Sequence, residues 1–119
     1  MTYQPGNIPL DMTVIPAGSA TISGANRAGK VVCPHDGKWT AIVVNVDTLT
    51  DAATVFTSYV NDATATSTFT LATASAKDTG HYIGPSAAIN VRAGDLLEVL
   101  SNGGPSAGIG YFAFHIRKT

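Results

Sequence analysis

Side chains alternate between two faces along a β-strand and wind around a helix with a period of 3.6, so the spacing of apolar residues separates the two. In this chain the spacing is two. Short alternating runs recur between clusters of Gly, Pro, Asn and Asp, and no apolar pattern of helical period is long enough to compete. The strong helix formers Leu, Glu, Lys and Gln are sparse, while Thr, Val, Ile and Ala dominate. The pattern predicts strands over 10–15, 19–23, 30–33, 38–47, 53–60, 66–72, 80–83, 87–91, 96–101 and 109–117. The fold class expected is all-β, an antiparallel β-sandwich or jelly roll of about eight to nine strands with an extended N-terminal arm. The arm takes residues 1–16, where prolines interrupt pairing, and the sandwich takes residues 17–119.

Two runs carry most of the packing information. Residues 38–47 are apolar on both faces, with Trp39, Ala41 and Val43 on one and Ile42, Val44 and Val46 on the other. Such a strand calls for cover on both sides, from a second sheet and from a sister subunit or a long loop. Residues 109–117 alternate more cleanly. Phe112, Phe114 and Ile116 are assigned to the core with Leu97 and Val99, which leaves Tyr111, His115 and Arg117 facing outward. Tight turns are expected at Asn61-Asp62 and at His35-Asp36-Gly37, where Asp-Gly reads as a two-residue hairpin.

Composition narrows the function. At 119 residues the chain has room for one core. Charged residues make up 13%, against roughly 25% in an ordinary globular protein, so part of the surface is small and polar or is covered by something. A net charge of −1 excludes a strongly basic nucleic-acid binder and provides no attraction to an acidic membrane. No apolar run approaches the roughly 20 residues of a membrane helix. One cysteine excludes an internal disulfide. The N-terminus lacks the basic and apolar regions of a secretory signal, and no Asn has Ser or Thr two places on. The expectation is synthesis in a cytoplasm from the initiator Met1, with Cys33 reduced.

The chemistry-bearing residues mostly have plainer readings. Gly24 to Lys30 matches G-x-x-x-x-G-K, but Val31 stands where a phosphate loop needs Ser or Thr, and a strand follows instead of a helix. Cys33, His35, Asp36, His81 and His115 are the soft-metal or nucleophile candidates. The Cys33-x-His35 spacing is too tight for a zinc pair, and Cys33 reads as a small buried hydrophobe. The carboxylates sit mostly in predicted turns, with a loop Ca²⁺ site near Asp47 and Asp51 as the metal alternative. Thr64, Thr66, Thr68 and Thr70 form a solvated ladder. Trp39, Tyr59, Tyr82 and Tyr111 are the aromatics available to stack on a sugar. No catalytic signature is present, so no enzyme activity, cofactor or metal is expected.

The last two thirds of the chain carry a resemblance. Residues 88–99, Ala-Ile-Asn-Val-Arg-Ala-Gly-Asp-Leu-Leu-Glu-Val, resemble the strand–AGD–strand turn of jelly rolls of the C1q and tumour-necrosis-factor group. Residues 110–116, Gly-Tyr-Phe-Ala-Phe-His-Ile, are similar to the aromatic-rich strand on which that group ends. The match spans about residues 38–119. Small jelly rolls rich in Ala, Thr and Gly also resemble the head decoration (cement) proteins of tailed bacteriophages, and the proline-bearing first third suits the shell-gripping arm of such proteins. The resemblance implies a homotrimer on the capsid surface of a virion, bound to the major capsid protein, with no nucleic-acid or membrane partner. It places Tyr111, His115 and Arg117 at the oligomer interface near a threefold axis, and Tyr3, Gln4, Pro5, Ile8 and Leu10 in the capsid-binding arm. The alternative is a carbohydrate-binding or receptor-binding module of a phage fibre or spike, with a glycan as partner.

Overall fold

The computed structural model describes residues 12–118. Nine strands run in the order β1 (Met12–Thr21), β2 (Arg27–Val32), β3 (Gly37–Val46), β4 (Thr54–Val60), β5 (Ala63–Leu71), β6 (Gly80–Ile83), β7 (Asn90–Val91), β8 (Leu96–Ser101) and β9 (Ile109–Lys118). They form two antiparallel sheets. The five-stranded sheet has the order β1-β9-β3-β6, with β7 pairing the other end of β3, and the four-stranded sheet has the order β2-β8-β4-β5. Most connections therefore cross from one sheet to the other, so the two layers of the sandwich are interleaved. The β4–β5 connection is a tight hairpin. Its two turn residues, Asn61 and Asp62, have φ of 52° and 67°, the left-handed pair that a type I′ turn requires and that Asn and Asp tolerate best after Gly.

The inner faces make one core. Trp39 and Phe114 of the five-stranded sheet meet at 4.7 Å between ring centroids, and Trp39 reaches Phe69 of the opposite sheet at 5.2 Å. Phe56 and Phe112 join the sheets a second time, edge to face at 5.3 Å. Around them Ile42, Val44, Val46, Leu97, Val99 and Ile116 are fully buried. These aromatic bridges and the apolar area they remove from water hold the layers together.

Four sequence expectations change. The described parts of the runs expected at 10–15 and 19–23 belong to one strand, β1, which ends at Thr21 and continues through a bulge between Pro16 and Ser19 where Gly18 takes φ 73°. Met12–Pro16 pair with β9, so the arm boundary drawn at residue 16 falls inside the sheet. The Asp36-Gly37 dipeptide makes no hairpin, because β2 and β3 belong to different sheets. Gly37 is needed for closeness instead: a Cβ there would lie 2.0 Å from the Arg117 carbonyl oxygen. Finally, the register of β3 shifts against β9 between Trp39 and Ala41. That bulge puts Trp39 on the same inner face as Ile42, Val44 and Val46, and turns Ala41, Val43 and Asn45 outward.

Candidate functional site

The outward face of the five-stranded sheet departs most from an ordinary wet surface. Register builds it residue by residue, since directly paired residues project to the same side. Phe112, Phe114 and Ile116 of β9 face the core, so Tyr111, Ala113, His115 and Arg117 face out. Opposite them on β1 stand Ser19, Pro16, Val14 and Met12. On β3 stand Asn45, Val43, Ala41 and Lys38. On β6, Tyr82 pairs with Val43. Val14 is 51%, Tyr82 63% and Tyr111 51% exposed, so large apolar groups share one plane in contact with solvent.

His115 lies near the middle of this face. Val14 pairs with it on one side and Ala41 on the other. The Tyr82 ring reaches across β3 to meet the imidazole edge to face at 5.3 Å between centroids. Ala41 lies between their strands and is fully buried although it faces outward, which matches two rings closing over a small side chain. Burial pushes the imidazole pKa down. Among the described residues these strand positions carry no carboxylate, and the cations Lys38 and Arg117 pair at one end.

The other sheet's outer face has a different chemistry. Arg27 pairs with Asp62 and with the buried Glu98 at 3.3 Å, and its guanidinium lies 4.2 Å over the Tyr59 ring. The Asp62 contact raises the Arg27 pKa and lowers that of Asp62. Thr64, Thr66 and Thr70 are exposed beside this cluster, as a solvated ladder requires. This face satisfies its own charges.

The sheet edges are interrupted. β1 carries Pro16 and its bulge, and β2 bulges at Gly29 and Lys30 with φ of 103° and 70°. β5 has Thr66 in the left-handed region, and beyond it Ser86 accepts from Thr68 N–H and donates its own N–H to the Thr68 carbonyl. Such edges resist strand addition from another chain.

Sequence reasoning thus placed Tyr111, His115 and Arg117 together correctly, on one outward face. It missed Val14, Pro16, Ala41, Val43 and Tyr82, which become part of that face only through pairing and through the β3 bulge. The arm residues Tyr3, Gln4, Pro5, Ile8 and Leu10 lie outside the described residues.

The remaining candidates have structural employment. Gly24 to Lys30 runs into strand β2, not a helix. The buried Cys33 thiol donates to the His35 carbonyl at 3.0 Å, and burial raises its pKa. His35 bonds Thr13 at 2.7 Å, and the His81 ring nitrogen meets the Ala76 carbonyl at 2.8 Å. Asp47 accepts from Ile109 N–H at 2.8 Å, and Asp51 accepts from the Ser106 hydroxyl and N–H. No group of three metal-ligating side chains occurs among the described residues. Trp39 is fully buried and presents no face to a sugar. Comparison with protein-family models, with curated proteins and with solved structures returns no match, so this outward face is characterised by its own geometry alone.

Proposed function

We propose that this chain is a non-enzymatic structural protein of a virion, a decoration protein that binds and stabilises a phage head as an oligomer, with the trimer as the assembly. The observation that carries the reading is the apolar face, without a carboxylate among the described residues, built on Val14, Val43, Tyr82, Tyr111, Ala113 and His115. Three of its strands have ten residues each, and at ~3.3 Å per residue and ~4.8 Å between strands they span on the order of 500 Å². A standard interface takes about 800 Å² from each partner, so the face is of the right order for stable self-association. The interrupted edges favour a partner copy that meets the face over one that extends a sheet. The interleaved strand order agrees with the C1q-like resemblance seen in residues 88–99 and 110–116.

Light scattering on the full chain tests the assembly: about three times 12.2 kDa is expected, and a clean monomer at micromolar concentration refutes it. Heads assembled from the major capsid protein of the same genome test the partner. The chain should co-sediment with them and raise their resistance to heat or chelation. Free chain remaining in the supernatant refutes the decoration role.

A further inference from the structure

The face proposed to self-associate has an ionisable group near its middle and, among the described residues, no carboxylate at the strand positions around it. We infer that His115 makes the self-association of this chain pH-dependent, holding the copies together when the imidazole is neutral and separating them when it is protonated. The inference rests on the proposed self-association and adds its regulation.

The argument starts with what surrounds the ring. From β1 the facing side chains are Met12, Val14 and Pro16, none of which titrates. From β3 they are Ala41 and Val43, with Lys38 at the far end. From β6 the neighbour is Tyr82, in edge-to-face contact. Along β9 they are Tyr111 and Arg117. Among the described residues this set holds no carboxylate, so a proton on His115 places a charge in an apolar plane. Packing a second copy over the face strips more water from the ring, which penalises the charged form further. By linkage, a state that disfavours the proton is itself disfavoured once the proton binds. The sign follows: self-association is fully present above the imidazole's free-chain pKa and weakens as pH falls below it. Each copy contributes up to about tenfold in the association constant per pH unit over that window. An assembly of several copies multiplies these factors.

The two other histidines are held elsewhere. His35 bonds Thr13 and the Asp36 carbonyl, and His81 meets the Ala76 carbonyl. Substitution at position 115 therefore isolates the effect.

Sedimentation velocity on the full chain at about pH 7.5 and about pH 5 brackets the ordinary imidazole range. The wild type should sediment as an oligomer at the higher pH and as a smaller species at the lower, with an unchanged β-sheet circular-dichroism spectrum. His115→Gln, which does not titrate, should remain oligomeric at both. His115→Lys, charged throughout, should be dissociated at both. A wild type that stays oligomeric at about pH 5, or a His115→Gln variant that dissociates there like the wild type, overturns the inference and leaves self-association standing. A wild type that is monomeric at both pH values overturns self-association and the inference together.

Discussion

Asp95 shows how much of this molecule hangs on single turn residues. One carboxylate oxygen accepts from the Asn61 side chain at 2.9 Å, and the other accepts from Arg92 N–H at 2.8 Å. Its own carbonyl accepts from Cys33 N–H at 2.7 Å. Asn61 in turn accepts from Leu96 N–H at 2.9 Å, so this one residue, Asp95, links the β4–β5 hairpin and the turn before β8 through its carboxylate and the end of β2 through its carbonyl. Asp95→Ala removes both side-chain acceptors, and because the freed donors are open to water a loss of about 1 kcal/mol is expected. Urea denaturation should show a lower midpoint for the variant with an unchanged slope; an unchanged midpoint would contradict the account. The Ala93-Gly94-Asp95 motif was legible in the sequence, but its mechanism was only partly so, because Arg92 is a local partner while Asn61 and Cys33 are more than thirty residues away along the chain. Cys33 is simpler. Its thiol is buried and bonded to a backbone carbonyl, and the raised pKa withholds the thiolate. Native protein should resist iodoacetamide at mildly alkaline pH and label rapidly once unfolded. Rapid labelling of the folded chain would show the thiol to be accessible.

At the scale of elements, alternation in β9 located the core correctly, whereas alternation in β3 misled. The cause is the bulge between Trp39 and Ala41, where a register shift changes which face each later residue occupies. A bulge belongs to a pair of strands, so no reading of β3 alone reveals it. The same holds for Gly37, whose neighbour Asp36 suggests a hairpin while the tight passage of β9 against it supplies the real constraint. Loops are held by carboxylates in a comparable way. Asp47 is kept below the usual carboxylate range first by the Ile109 N–H, and Asp51 by the Ser106 hydroxyl and N–H. Both have folded pKa values below the unfolded ones. Their contribution to stability is therefore fully present above about pH 4 and is lost as pH falls through the folded values. The double variant Asp47→Asn, Asp51→Asn should be less stable than wild type at about pH 6 and should lose less on acidification to about pH 3. Parallel pH profiles for the two proteins would show that these carboxylates do not anchor the segment between Ser106 and Ile109.

For the whole molecule, the contrast between the two sheet faces decides which side meets a partner. The four-stranded sheet shows water a paired Arg27–Asp62–Glu98 cluster and a row of threonines, groups that would lose hydration if covered, with Val32 the large apolar side chain exposed at its edge. The five-stranded sheet shows Val14, Tyr82 and Tyr111, which gain by being covered. Low overall charge was visible in composition, but its uneven division between the faces appears only once the strands are paired. A charge placed where the side chain is already exposed tests the contrast without disturbing the core. Val14→Asp leaves the β1–β9 ladder intact, because the change lies on the outward side chain and the backbone pairing with His115 persists. Burying that carboxylate beneath a second copy strips its water and leaves it without a charged partner unless it meets Lys38, Arg117 or a protonated His115. Self-association should therefore weaken by at least about tenfold, with the melting temperature of the separated chain little changed. Thr57→Asp on the opposite face serves as the matched control and should leave the assembly at wild-type size. If Thr57→Asp dissociates the oligomer and Val14→Asp does not, the copies meet through the threonine face, and the assignment of the two faces is reversed.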